Sequence, residues 1–78
     1  MKNPAGVKAF GMHLRRLRES KNLSQQKLAD LADVAKITVQ RIENAKYSAT
    51  IDVLLSLAKA LRVSLSELVN FQIPKDRK

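Results

Sequence analysis

Five residues within one short stretch, Lys36, Ile37, Gln40, Arg41 and Asn44, bring together two cations, two amides and one aliphatic group, with no acid among them. At about 100° per residue on a helix, they fall into one arc. Ala35, Val39 and Ile42 fall into a narrow arc nearly opposite, which faces a core. An ordinary solvated face would carry Glu/Lys pairs and avoid a bare isoleucine. The set matches what base edges offer in the major groove. Arginine can make two bonds to guanine, glutamine can pair with adenine, and an aliphatic side chain can touch the thymine methyl. Lys36, Ile37, Gln40 and Arg41 are therefore the candidate base contacts. Upstream, Ser24 and Gln25 stand where a helix would begin, a position that offers backbone N–H groups and a side-chain amide to a phosphate.

Such a face needs elements to hold it. Apolar residues recur at helical spacing nearly throughout, glycine occurs only twice, and hairpin dipeptides are missing, so the chain reads as five helices. The first starts near Pro4 or Val7, with Asn3 as its cap, carries Phe10, Leu14 and Leu17, and ends around Lys21 with Asn22 left-handed. Ser24 caps the second, whose Leu28, Ala29, Leu31 and Ala32 point inward. A left-handed Asp33 stops it and lets the third, about Ala35 to Asn44, leave at a steep angle. Thr50 caps the fourth, showing Ile51, Leu54, Leu57, Ala58 and Leu61. Ser64 and Glu67 stand three apart, the spacing of a capping box, and open a short fifth helix with Leu68. The expectation is one compact all-α unit: residues 1–6 an N-terminal extension, 7–71 the domain, and 72–78 a tail.

Composition narrows the function. A 78-residue chain buries only about 60% of its unfolded surface, leaving little room for a deep substrate cavity. The 15 Lys plus Arg against 7 Asp plus Glu give a formal net charge of +8, an excess that attracts polyanions. Charge alone confers affinity without sequence discrimination. Cysteine is absent, and no apolar run approaches the roughly 20 residues of a membrane span. The start MKNPAGVKAFGMHLRR lacks the apolar core of a signal peptide. A cytoplasmic protein without a membrane partner is expected. His13 stands without a second ligand type around it, so no metal is expected. No nucleophile with a base, paired acids or phosphate loop is present, so no catalytic residue, enzyme activity or cofactor is expected.

The string LRRLRESKNLSQQKLADLADVAKITVQRIENAK followed by TIDVLLSLAKALRVSLSEL, from Leu14 to Leu68, resembles the lambda-repressor-like, Cro/cI-type and xenobiotic-response-element helix-turn-helix domains. The resemblance implies a five-helix DNA-binding domain, usually dimeric, that regulates transcription at pseudo-palindromic operators on double-stranded DNA. Carried over by position, Gln25 aligns with a backbone-contacting glutamine, and Lys36, Ile37 and Arg41 with base-reading positions. Asn44 and Lys46 align with backbone contacts, and Arg18 and Glu43 with a salt bridge tying the first helix to the third. Three residues depart from the family pattern: Asp33 and Ala45 where glycine is common, and Ala35 where a serine or threonine cap is usual. Val69, Phe71 and Ile73, near the end of the chain, are the expected homodimer contacts. Two alternatives stand beside a repressor: a DNA-binding antitoxin with a toxin as partner, and a basic bundle that binds protein rather than DNA.

Overall fold

The computed structural model describes residues 2–73. Its elements, in order, are α1 (Pro4–Ser20), α2 (Gln25–Ala32), α3 (Lys36–Glu43), α4 (Ile51–Leu61) and α5 (Leu65–Leu68). There is no strand among the described residues. The all-helical expectation is met. α3 packs against both α1 and α2, α2 against α4, and α5 closes on α4 and α1. Leu14, Leu28, Val39, Ile42, Leu57, Leu61 and Leu68 are fully buried at the centre. Each helix gives up one apolar stripe to this core, which supplies most of the stability of such short helices.

The helix starts follow side-chain capping. Ser24 accepts from the Lys27 backbone N–H at 3.0 Å and Thr50 from that of Val53 at 3.2 Å. Ser64 and Glu67 form the reciprocal box, with bonds of 3.0 and 2.9 Å. These bonds satisfy amide groups that a helix start otherwise leaves without partners.

Four helix ends share one geometry. Asn22, Asp33, Ala45 and Arg62 all adopt left-handed backbone, with φ of 59°, 57°, 59° and 60°. After each, the chain donates back into the helix it leaves: Leu23 N–H to Arg18 O, Val34 to Ala29, Lys46 to Arg41 and Val63 to Ala58. This is the Schellman arrangement, usually built on glycine. Here none of the four is glycine.

Several sequence-based expectations are corrected. α1 begins at Pro4, the earlier of the two expected starts, so residues 4–6 are helical where the domain bounds had an extension; proline fits the first helical position because its missing N–H would have had no partner there. Asn3 occupies the cap position but makes no side-chain capping bond. Leu31 is exposed, because on the wheel it lies about 100° from the centre of the Leu28, Ala29 and Ala32 stripe. Ala35 is exposed as well: it is the residue before α3, in extended backbone, where helical phase does not apply. Ile51 is exposed at the first position of α4. Of the expected tail, only Gln72 and Ile73 are described, and residues 74–78 lie outside the described residues.

Candidate nucleic-acid interface

The turn between α2 and α3 occupies Asp33, Val34 and Ala35. Left-handed Asp33 ends α2, and α3 departs from it at Lys36. Val39 and Ile42 anchor the inner face of α3 in the core. Lys36, Ile37, Arg41 and Asn44 are exposed and Gln40 is half-buried, all five within an arc of about 140°. Ile37 shows 48% of its surface, a large apolar residue left bare among polar neighbours. Ser24 is exposed and Gln25 half-buried at the start of α2, and Lys46 is exposed just beyond the end of α3.

A buried carboxylate fixes this assembly. Glu43, the last residue of α3, has a side chain only 2% exposed, and Arg18 of α1 is 10% exposed. Arg18 Nε donates to Glu43 Oε2 at 2.7 Å and Nη2 to Oε1 at 3.2 Å, a two-pronged pair. Nη1 donates to the Leu23 carbonyl at 2.7 Å, which brings in the loop between α1 and α2. Gln25 Nε2 donates to Glu43 Oε1 at 3.0 Å. One carboxylate thus joins α1, α2 and α3. Hydrogen bonding to Glu43 raises the Arg18 pKa above its ordinary value, against the opposing effect of burial. The stabilisation this gives is fully present below the ordinary arginine pKa and is lost only as pH rises through the raised one.

The second fixed point is Gly11. It is buried in α1, and a Cβ built there would overlap the Ile42 carbonyl oxygen and press on that of Glu43 at 3.0 Å. Only a residue without a side chain lets α1 pass this close to the end of α3. Reading the sequence for chemistry did not single out Gly11, since a glycine inside a helical pattern carries no sign of what lies across from it.

Two cations outside the expected set stand near Lys46. Lys2, just ahead of α1, and Lys8, in its second turn, line an open cleft of about 600 Å³ together with Lys46, Asn3, Tyr47 and Ser48. The other expected residues lie elsewhere. Val69 and Ile73 are exposed. Phe71 packs into its own chain, with its ring 5.7 Å from those of Phe10 and His13. His13 Nε2 lies 3.1 Å from the Glu67 carbonyl oxygen, joining α1 to α5. No described helix is long and apolar enough to cross a membrane.

Comparison with known proteins gives this geometry a family. A family model described as helix-turn-helix matches residues 14–68. The restriction-modification controller protein C.AhdI from Aeromonas hydrophila is similar at 35% identity with a TM-score of 0.78, covering 80% of this chain and 94% of that one. A helix-turn-helix transcriptional regulator from Vibrio cholerae is similar at 31% identity and the same TM-score of 0.78, over 85% of this chain and 38% of its own. The P22 c2 repressor, solved with a synthetic operator, shares the fold at 24% identity and a TM-score of 0.71, over 78% of this chain and 92% of that one. No curated protein matches. The chain therefore belongs to the helix-turn-helix family, among its lambda-repressor-like, DNA-binding transcription regulators.

Proposed function

We propose that the protein represses transcription by binding a specific double-stranded DNA operator as a homodimer. α3 enters the major groove, where Lys36, Ile37, Gln40 and Arg41 read base edges. Ser24, Gln25, Asn44 and Lys46 hold the flanking backbone and set the register. The observation that carries this reading is the exposure of Lys36, Ile37 and Arg41 on one face of a helix whose other face is locked into the core. Arg41 presents a planar fork of donors suited to guanine, whereas Lys36 offers a mobile point charge. A domain seated this way represses by occupying promoter DNA.

Two copies would place their α3 helices in successive major grooves about 34 Å apart. Val69 and Ile73 supply exposed apolar surface for the pairing; Phe71, engaged with Phe10, supports the same surface from within. Selecting bound duplexes from a random pool tests the whole reading. A two-fold repeated motif that survives excess random DNA is the expected result, and recovery of no motif overturns it. Sedimentation at micromolar concentration tests the dimer, and a monomer bound singly to DNA would refute it.

The 35% identity to a restriction-modification controller over 94% of that chain favours one refinement. On that reading, the regulated genes are those of a restriction-modification pair, found beside this one. The antitoxin alternative requires a toxin gene in that place instead.

A further inference from the structure

We propose that the cleft between the start of α1 and the loop after α3 is a second phosphodiester-binding site, one that lengthens the grip on the duplex beyond the reach of the recognition helix. The proposal rests on the DNA-binding reading above and adds Lys2 and Lys8 to it.

Folding brings together two lysines from the beginning of the chain and one from the far side of α3. Lys2, Lys8 and Lys46 are all exposed and line the same cleft. No described carboxylate lies within salt-bridge distance of any of the three, in contrast to Arg15, paired with Glu19, and Arg18, paired with Glu43. Three like charges around one opening repel one another, and an anion placed between them relieves that repulsion. Asn3, Tyr47 and Ser48 add an amide and two hydroxyls to the same walls, the groups that commonly accompany lysine at phosphate oxygens. The Asn3 side chain makes no capping bond, and the first turn of α1 carries no acid.

Position selects the source of the anion. Lys46 lies two residues beyond Asn44, the cap of α3, and its backbone N–H donates to the Arg41 carbonyl at 2.7 Å, so one wall of the cleft adjoins the end of the helix that carries Gln40 and Arg41. A strand whose bases are read by α3 runs on past this loop. At about 600 Å³ the open cleft is large enough for a length of sugar-phosphate backbone.

The test compares the full chain with Lys2→Gln/Lys8→Gln on a selected duplex, across a series of salt concentrations. Lys59→Gln/Arg62→Gln, which removes the same charge from the end of α4 and the residue that follows it, is the matched control. Each lost phosphate contact should lower the slope of log K against log salt by about 0.9. The expected result is a reduced slope for the Lys2/Lys8 variant alone, with its preferred sequence unchanged. Trimming the duplex ends should bring the wild type to the variant's level and leave the variant indifferent. Equal slopes for the two double variants, beside an intact sequence preference in the wild type, would overturn the cleft and spare the recognition helix. Loss of sequence preference in the wild type itself would overturn both. Titration with inorganic phosphate separates the remaining source: phosphate binding lost in the variant, with duplex binding untouched, would overturn DNA as the occupant.

Discussion

Glu43, which closes α3, accepts a hydrogen bond from Gln25, which opens α2, at 3.0 Å. The proposed phosphate anchor and the end of the proposed reading helix are therefore tied through one side chain. Gln25→Ala should weaken binding to cognate and scrambled duplexes alike. In a Glu43→Ala background, which removes the acceptor, the same change should cost less, because the anchor is no longer held in place. The coupling expected is about 0.5–3 kcal/mol, the range for groups in one network. A double-mutant cycle of duplex affinities measures it, and additive losses would contradict the tie.

Removing the carboxylate altogether is a stability experiment. Glu43→Ala leaves the Arg18 guanidinium, 10% exposed, with only the Leu23 carbonyl and a long 3.9 Å contact to the exposed Glu19 carboxylate. Breaking such a buried pair from one side costs about 3–5 kcal/mol. In a domain of this size each kcal/mol lowers the melting temperature by about 4–8 °C. Because the Arg18 pKa is raised, its contribution persists as pH rises toward the ordinary arginine range. The difference in melting temperature between wild type and variant should thus hold between pH 7 and about 10. Thermal denaturation at several pH values checks both statements.

Arg41→Ala should relax preference at one base position and cost about 1–3 kcal/mol on the cognate duplex. Its exposed site predicts little change in fold stability. Binding to a panel of single-base operator variants reads this out. Equal losses on cognate and scrambled DNA would remove Arg41 from base reading.

Gly11→Ala should destabilise the fold and displace α3 together, since the added methyl meets backbone rather than a side chain that can swing away. Overpacking of this kind costs about 1–3 kcal/mol. Denaturant titration gives the stability change, and DNA affinity should fall by more than the unfolded fraction explains. An unchanged midpoint would show that α1 can retreat from Ile42 without penalty.

Much of this arrangement was legible in the residues. Ser24, Thr50 and the Ser64/Glu67 box announce helix starts because their side chains make the bonds themselves. Asn22 and Asp33 could be placed in left-handed backbone because their types tolerate it. Ala45 and Arg62 adopt the same backbone with no such inclination. At those two positions the tertiary packing of the next segment overrides local preference. The Arg18–Glu43 pairing came from family resemblance, since contacts between residues so distant in sequence leave no periodic trace. Gly11, Lys2 and Lys8 were passed over for a related reason: their meaning depends on which surface folding sets opposite them.

The four left-handed helix ends carry a consequence for how much this small domain can be hardened. Each strained joint holds a side chain where hydrogen alone would sit more easily, at a cost on the order of 1 kcal/mol for alanine or arginine. Arg62→Gly, remote from the DNA-facing helix in sequence, should raise the melting temperature with affinity unchanged, and Ala45→Gly should do so beside the loop that carries Lys46. Against a total stability of about 5–15 kcal/mol for natural domains, those joints are an unused reserve. The molecule stands below the thermal ceiling its own architecture permits.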